Sequence, residues 1–413
     1  MKQAAPLTIR NAQLVTPRGL TSGPLRMADG LIETVGEAAD NHTGNDGDSV
    51  NGRGKIVMPG LVDLGVFAID KPAFHFGGIT RAALMPDQTP AIDLPSRVAY
   101  IAKSGKPDLW VHPLAGATRD LAGRELAEIA LMRDAGARGV AAGRTWIADS
   151  GVMLRLLQYA AMLDLPVIAH SEDAALVGQA VATAGEYATR RGLPSAPVQA
   201  EAIAIARDLA LADMAKARIH FRQITTRSGL DLIRSAKREG QRVTAGVTPA
   251  HFLLSDLATA DFRTFARLSP PLRCEDDREA VREAIADGTI DVIASGHDPR
   301  GPEDKRLPFA DALPGMAGAE TLLAMVLGLV RDGLIDMVRA VDLVATNPAQ
   351  VLGVNAGALE DGAEADVALV DPEKPWIIQS EKMAATAGNT PFDGQPTQGR
   401  VLRLWKGGVE VTL

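Results

Sequence analysis

Several features that define other protein classes are scarce or missing in this chain. Its single cysteine, Cys274, allows neither an internal disulfide nor a zinc or iron–sulfur site built from cysteine thiolates. Aromatic residues make up only 4% of its 413 residues, so we expect an aliphatic core. Lys and Arg number 43 against 51 Asp and Glu, and this acidic balance argues against a nucleic-acid partner.

Targeting and membrane signals are also lacking. Residues 1–10 have no apolar stretch of the signal-peptide type, and the longest apolar run, residues 321–330, is roughly half the length that a bilayer requires. With 46% hydrophobic and 23% charged residues, the composition is that of a globular protein. We therefore expect a cytoplasmic protein without a membrane contact, in which Cys274 is inert because no base neighbours it in sequence.

The middle of the chain alternates between short aliphatic runs and amphipathic helical stretches. The runs are residues 60–62, 81–84, 166–169, 218–221, 242–244 and 290–294. Strand–helix alternation on this scale predicts an α/β fold, a (β/α)8 TIM barrel over residues 56–354. In such barrels, catalytic side chains gather at the C-terminal ends of the strands.

Both ends of the chain differ from this middle part. Residues 1–55 and 355–413 are rich in short strand patterns separated by Gly, Asp and Asn, which predicts a small composite β-sandwich built from both termini. Residues 67–78 are too few for a full crossover, so the first barrel helix is expected to be missing or truncated. We expect the barrel flank left uncovered there to be a partner surface.

Polar residues follow several of the predicted strands. They are Asp63, His170, His220, His251, His297 and Asp298. Imidazoles and carboxylates that converge at a barrel mouth can bind zinc and activate a water molecule, which favours a metallohydrolase. However, no two of these histidines have the H-x-H or H-x-x-x-H spacing of a ligand pair, and a lone histidine at a strand end is usually a hydrogen-bonded structural residue.

Six sequence motifs, taken together, resemble the dihydroorotase branch of the amidohydrolase superfamily. They are VMPGLVD at 57–63, MPDQTP at 85–90, HSED at 170–173, VTPAH at 247–251, SPPLR at 269–273 and TNPA at 346–349. The resemblance covers nearly the whole chain and implies a TIM barrel with a composite β-sandwich. It further implies zinc-dependent hydrolysis or formation of the cyclic amide of dihydroorotate. The implied zinc ligands are an H-x-H pair, a bridging carboxylate, two later histidines and an Asp after strand 8.

Most of these implied ligands are replaced. Gly65 and Phe67 stand at the H-x-H positions, Ala142 or Gly143 at the bridging acid, Gln223 at the second late histidine and Gly296 at the last Asp. Only His170 matches a metal ligand, and one imidazole cannot hold a catalytic zinc. The substrate-binding Arg and Asn of the family correspond to Ile69 and Asp87 here, and both changes disfavour an anionic substrate.

The sequence therefore leads to three hypotheses. The first is a non-catalytic dihydroorotase homologue without a cofactor, which the resemblance implies to be a structural partner of aspartate transcarbamoylase, or else a homo-oligomer. The second is an active cyclic-amide hydrolase whose zinc site is rebuilt from His170, His220, His251, His297 and Asp298. The third is a ligand sensor in which Arg144 and Arg300 hold an anion. A residual pocket would be lined by Asp63, Asp87, His170, His220, His251, His297, Asp298 and Arg300.

Overall fold

Strands from both ends of the chain pair in one six-stranded sheet. The computed structural model describes residues 5–36 and 48–413, so residues 1–4 of the signal-peptide argument and residues 37–47 of the predicted β module lie outside it. The N-terminal strands are β1 (Leu7–Arg10), β2 (Gln13–Thr16), β3 (Gly19–Ser22), β4 (Leu25–Ala28), β5 (Leu31–Val35), β6 (Asp48–Asn51) and β7 (Ile56–Pro59). The C-terminal strands are β19 (Val367–Ile377), β20 (Pro396–Lys406) and β21 (Val409–Val411).

The six-stranded sheet has the order β21-β20-β19-β7-β2-β3, and the remaining N-terminal strands form a second sheet in the order β5-β4-β1-β6. One apolar cluster joins the two sheets and includes Ile9, Leu14, Met27, Leu369 and Trp405. Alternation of apolar and polar residues along these strands places one face of each sheet in this cluster. The six-stranded sheet includes β7, so the N-terminal part of the sheet extends to Pro59. The division of the chain into two domains stays a prediction.

Parallel strands form the middle of the chain. They are β8 (Leu61–Val66), β9 (Ile79–Leu84), β10 (Trp110–Pro113), β11 (Ala115–Gly116), β12 (Val140–Ala141), β13 (Val167–Ala169), β16 (Ile219–Phe221), β17 (Val243–Val247) and β18 (Val292–Ile293). They pair in two sheets, β10-β9-β8 and β11-β12-β13-β16-β17-β18. A parallel α/β architecture is thus confirmed, and all six predicted aliphatic runs lie in or overlap strands.

The two parallel sheets are linked by main-chain hydrogen bonds outside the strand ladders. Leu114 N, between β10 and β11, donates to Leu84 O at 2.9 Å, and Phe67 N after β8 donates to His297 O after β18 at 2.9 Å. The second bond brings the first and last parallel strands together at their C-terminal ends. A complete eight-stranded closure stays a prediction.

Helices cover the outer side of the parallel strands. They are α1 (Lys71–Gly77), α2 (Pro95–Ser104), α3 (Ile129–Asp134), α4 (Ser150–Met162), α5 (Ala174–Val177), α6 (Glu186–Arg191), α7 (Gln199–Ala215), α8 (Arg227–Arg238), α9 (Pro249–Leu253), α10 (Glu275–Ala286), α11 (Pro302–Lys305), α12 (Leu322–Arg331), α13 (Met337–Val341) and α14 (Asn347–Leu352). Two residue pairs form the short strands β14 (Ala182–Thr183) and β15 (Ser195–Ala196). The apolar run at 321–330 is the buried helix α12. Among residues 5–36 and 48–413, no helix combines the length and the apolar character needed to cross a membrane.

The segment between β8 and β9 contains a truncated helix, the seven-residue α1. The expectation of an uncovered flank beside it is wrong, because every residue of β8 and β9 is buried within the chain. Phe74 of α1 is fully buried in the main apolar cluster, and Gly77 packs so closely on Ala319 that a Cβ would lie 2.2 Å from the Ala319 carbonyl oxygen. Close packing lets a short helix cover the flank.

Candidate functional site

The phenyl ring of Phe67 lies between two guanidinium groups at the C-terminal ends of the strands. Arg144 stacks on the ring with its Cζ 3.8 Å from the ring centroid, and the Cζ of Arg222 lies 5.1 Å from it. Gly65, the other predicted H-x-H position, has φ of +103°, and a Cβ there would contact Arg222 and Met85. Thus apolar and cationic groups occupy the place where the resemblance implies a metal pair.

Asp87 packs against the position of the bridging acid. A Cβ on Gly143 would lie 3.0 Å from the Asp87 carboxylate, and Gly143 has φ of +79°. The backbone N of Arg144 donates to Asp87 Oδ2 at 2.9 Å, and its Nη1 donates to the same oxygen at 3.1 Å. A side chain at Gly143 would displace this carboxylate, so the two cannot coexist in this arrangement.

His170, which alone matches an implied ligand, has protein groups facing both ring nitrogens. Arg222 Nη2 donates to its Nδ1 at 3.1 Å, and its Nε2 lies 3.6 Å from Glu172 Oε2. Burial, together with the charges of Arg222 and Arg273, lowers the pKa of His170 to about 3, so the ring is neutral at pH 7. Since Nδ1 accepts from a guanidinium, its lone pair is not open to a metal.

Gln223 replaces an implied histidine and binds His251 instead. Its Nε2 donates to His251 Nδ1 at 3.0 Å, while His251 Nε2 donates to the carbonyl oxygen of Pro270 at 3.1 Å. The Thr248 hydroxyl lies 2.9 Å from the same Nδ1. Burial lowers the pKa of His251 to about 3, which matches a neutral ring with one donor and one acceptor nitrogen. Both nitrogens are therefore used in structural hydrogen bonds.

Asp298 is held by two arginines. Its Oδ2 accepts from Arg144 Nη2 at 2.7 Å and from Arg300 Nη2 at 3.1 Å. Gly296, at the place of the implied strand-8 Asp, has φ of +61°, and a Cβ there would lie 2.9 Å from the Thr248 side chain. Arg144 and Arg300, predicted to hold an external anion, are thus paired with a carboxylate of the chain.

His220 does not line this region. Its Nδ1 bonds the Thr244 hydroxyl at 2.9 Å. Its Nε2 is buried with no hydrogen-bond partner in the described part of the chain, and a Cβ on Gly246 would lie 3.1 Å from it. Burial lowers the pKa of His220 to about 3, with Lys237 and Arg222 adding to the shift. A neutral buried imidazole beside glycine and threonine is a core residue.

His297 and Asp63 make their contacts outside the group formed by Phe67, Arg144 and Arg222. The His297 ring packs edge-on against Phe74 at 5.2 Å, with its Nε2 3.5 Å from Asp70 Oδ2. Asp63 accepts hydrogen bonds from the Ser295 hydroxyl and, at 2.9 Å, from the Ser295 backbone N. Burial raises the pKa of Asp63 above its ordinary value, although the Ser295 hydrogen bonds oppose that shift. Both residues fix the β8–β18 junction.

A small cavity opens among the strand ends. We call it the strand-end cavity; it is lined by Phe67, Arg144, Arg222, Gln223, Thr248, His251, Leu268, Ser269, Gly296, Asp298, Pro314, Gly315 and Met316. The volume open to the centre of a water molecule is about 40 Å³. A volume of this size holds a few water molecules or one small chemical group, and it is well below the volume of typical substrate pockets. Of the predicted pocket residues, His251 and Asp298 line it, and Asp63, Asp87, His170, His220, His297 and Arg300 do not.

The side chains present do not fit a catalytic zinc. Within the part of the chain that the structure describes, no three His, Cys, Asp or Glu side chains are grouped so that they could hold a metal ion. The nitrogens of His170 and His251 are engaged, and the guanidinium of Arg222 would repel a second cation. The rebuilt set of four histidines and Asp298 is not brought together either.

Two arginines central to this region were not recognised in the sequence. Arg222 lies within the HFRQ segment, and Arg273 within SPPLR bonds the Glu172 carboxylate at 3.0 Å, 101 residues away in the chain. Arg273 also lies 3.6 Å from Glu201, which accepts from the backbone nitrogens of Thr225 and Thr226. A sequence signal existed for both, because Arg222 directly precedes an expected metal ligand and Arg273 ends the SPPLR motif, but neither residue was assigned a role.

Comparison with known proteins identifies the family of this chain. The profile of the Amidohydrolase family matches residues 84–411, most of the chain. The chain belongs to the amidohydrolase family. Dihydroorotase of Geobacter sp. (strain M21) is 35% identical to it over 413 residues, covering 96% of each protein. Dihydroorotase of Pelotomaculum thermopropionicum is 38% identical over 389 residues, covering 90% of each.

Solved structures agree on the fold of this amidohydrolase-family chain. L-Hydantoinase (dihydropyrimidinase) from Arthrobacter aurescens superimposes with a TM-score of 0.88 at 24% identity, covering 98% of this chain and 96% of that one. Dihydropyrimidinase from Brevibacillus agri gives a TM-score of 0.85 at 20% identity. The dihydroorotase-like character predicted from the motifs is confirmed, whereas inactivity stays a prediction.

Proposed function

We propose that this chain is a dihydroorotase homologue without a catalytic metal, acting as a non-catalytic subunit in pyrimidine biosynthesis. The observation that carries the proposal is the position of Arg222, whose guanidinium lies against Phe67 and donates to His170. A fixed organic cation there takes the lone pair that a metal would need. Because the repulsion between two cations grows in a buried site, zinc and Arg222 exclude each other.

The fold supports a subunit role because its core is packed without a metal. One apolar cluster joins Val62, Leu64, Ile168 and Val292 from the parallel strands with residues of α14. Apolar packing of this kind stabilises such strands independently of any ligand at their ends. We propose that the closed eight-stranded barrel and the composite β-sandwich of the termini are retained as a scaffold.

For the partner, we propose aspartate transcarbamoylase, with self-association as the alternative. The identity of this partner comes from the resemblance to dihydroorotases, in which inactive chains accompany that enzyme. We place the assembly in the cytoplasm, since the lone Cys274 needs no oxidising compartment and burial raises the pKa of its thiol, which lowers its reactivity.

One purified sample tests the proposal. We expect less than about 0.1 zinc per chain by mass spectrometry of metals, no turnover of dihydroorotate, and an unchanged Tm after treatment with a chelator, because nothing in the fold depends on metal. Co-elution with the aspartate transcarbamoylase of the same cell on gel filtration is expected. Separate elution of the two proteins at micromolar concentration would contradict the partner assignment alone.

An active cyclic-amide hydrolase is the second candidate. The names of the relatives favour it, since proteins called dihydroorotase align over 96% of this chain at 35% identity. This candidate requires Arg222 to move away from His170 and metal donors to be recruited from elsewhere. Stoichiometric zinc together with dihydroorotate turnover that is lost in His170→Ala would establish it and reject a non-catalytic role.

A further inference from the structure

Arg222 is a buried cation that makes no ion pair in the described part of the chain. Only 6% of the residue is exposed, and within residues 5–36 and 48–413 its side chain makes one hydrogen bond, from Nη2 to the neutral ring of His170. Its Nε is buried and has no hydrogen-bond partner among these residues. Contact with the face of Phe67 offsets part of the desolvation, but a ring quadrupole is a weaker partner than a carboxylate.

Burial of an unpaired charge is costly. Desolvation lowers the pKa of Arg222 to about 10, which still leaves the guanidinium charged at pH 7. Buried charges in proteins are ordinarily paired, and an uncompensated one destabilises the fold by several kcal/mol. An arginine in this position, with no carboxylate in direct contact among the described residues, therefore points to an additional negative group.

The carboxylates nearest to Arg222 are bound by other arginines. Arg144 binds Asp87 and shares Asp298 with Arg300, as the distances above establish. Among the charged residues that line the strand-end cavity, the two guanidiniums of Arg144 and Arg222 face one carboxylate, that of Asp298, so the lining carries one excess positive charge. Glu172, which does not line the cavity, is paired with Arg273. The excess matches a monovalent anion and disfavours a dianion such as phosphate.

The strand-end cavity gives such an anion a place. Arg222 lines it together with polar groups of Gln223, Thr248 and Ser269, and its volume of about 40 Å³ admits a carboxylate with a short side chain. The negative charge of Asp87 acts on Arg222 from outside the cavity lining and limits how much further negative charge the site accepts. The planar guanidinium matches the two oxygens of a carboxylate.

We propose that the strand-end cavity is a binding site for one small monovalent carboxylate, which Arg222 holds in the place where a dihydroorotase would hold its metal. This inference goes beyond the proposed function, because neither a non-catalytic role nor a partner subunit requires a ligand. The bound carboxylate receives hydrogen bonds from the guanidinium and cancels the unpaired charge. Binding is non-covalent and leaves the ligand unchanged.

Titration of the full-length protein with sodium acetate tests the proposal. We expect a saturable rise in Tm and ligand-observed NMR broadening of acetate. Neutral acetamide, which has the same shape, should produce neither. Sodium chloride and sodium phosphate at equal ionic strength are the comparison anions. An equal response to chloride would overturn the assignment to carboxylates, and no acetate-specific response would overturn the site itself.

Variants of the protein test whether Arg222 is responsible for the response to acetate. Arg222→Met should fold with an unchanged or higher Tm in the absence of acetate and should weaken acetate binding at least about tenfold. Asp87→Asn should strengthen acetate binding, because it removes a nearby negative charge. Arg331→Met, which changes an exposed arginine outside the cavity, is the control and should bind acetate normally. Equal binding by the wild type and Arg222→Met would reject the proposal.

Discussion

Gly65 illustrates how one residue determines what this region can bind. It stands where the resemblance implies a metal-binding histidine, yet its φ of +103° belongs to a region of backbone conformation that favours glycine. The backbone has adapted to the absence of a side chain. Restoring a histidine there would therefore introduce strain as well as a ligand, so the metal site cannot be rebuilt by side-chain exchange alone.

The strain at this residue can be measured. Gly65→Ala should lower the free energy of unfolding by about 1–3 kcal/mol, because alanine is disfavoured at positive φ. Urea denaturation followed by circular dichroism measures the change. Gly328→Ala in α12, where the nearest atom to a new Cβ is 3.6 Å away, should be neutral or slightly stabilising. Equal stability of Gly65→Ala and the wild type would contradict the assigned backbone conformation.

Arg273 is the opposite case from Arg222, since it is buried with its counterions. Arg273→Met leaves Glu172 without its ion pair in an environment where burial already raises the pKa of that carboxyl group. We expect a loss of about 3–5 kcal/mol in unfolding free energy, typical of a broken buried pair. The exposed pair of Arg190 with Glu186 is the control, and Arg190→Met should cost less than about 1 kcal/mol. Similar losses in both variants would be inconsistent with this network.

At the scale of elements, α1 explains how a shortened crossover still closes the fold. Its seven residues, Lys71–Gly77, include Pro72 in the first turn and are followed by Gly78, whose φ of +79° lets the chain turn directly into β9. A single aromatic ring, Phe74, fills the space beside the strands. The shortened element therefore covers the flank through one large side chain and close backbone contacts.

This role of α1 gives an element-scale prediction. Phe74→Ala should reduce the free energy of unfolding by about 3–5 kcal/mol, because a fully buried ring leaves a cavity. Tyr100 of α2 is 77% exposed, so Tyr100→Ala should change stability by less than about 0.5 kcal/mol. Thermal and urea unfolding of both variants provides the measurement. A small effect in Phe74→Ala would mean that α1 does not pack as described.

At the scale of the whole molecule, buried neutral histidines link stability to pH. Burial lowers the pKa values of His112, His170, His220 and His251 to about 3, whereas unfolded histidine titrates near its ordinary value of about 6.5. Between these values the unfolded chain binds more protons than the folded one. Folding stability therefore falls as the pH decreases through about 6.5.

We expect on the order of 3 kcal/mol to be lost between pH 7.5 and pH 6 through these four groups together. The lower end of this window meets the pKa of Asp208, which burial raises to about 6, so proton uptake by folded Asp208 begins to oppose the loss near pH 6 and opposes it more strongly below. Urea midpoints across the window give the slope. His112→Gln should remove about a quarter of it, and a flat profile would show that the histidines are accessible to protons.

Part of the fold and part of the candidate site could be predicted from the sequence, because they depend on single residues and short segments. The parallel strands follow from short aliphatic runs, as for the predicted run at 218–221, which the structure places in β16 (Ile219–Phe221). The replacement of implied metal ligands at Gly65, Phe67, Gln223 and Gly296 is also evident from the sequence, because each residue can be compared with the implied ligand without knowledge of the fold. These are properties of single residues and of short segments.

Only the tertiary structure decided what replaced the ligands. The bond from Arg144 to Asp298 joins residues 154 positions apart, and that from Arg222 to His170 joins residues 52 apart. No periodicity encodes such contacts, since they arise when strands distant in sequence align their ends. For the same reason the coverage of the β8–β9 flank by Phe74 was missed: how closely a short helix packs depends on the surfaces that meet it, which the chain assembles only on folding.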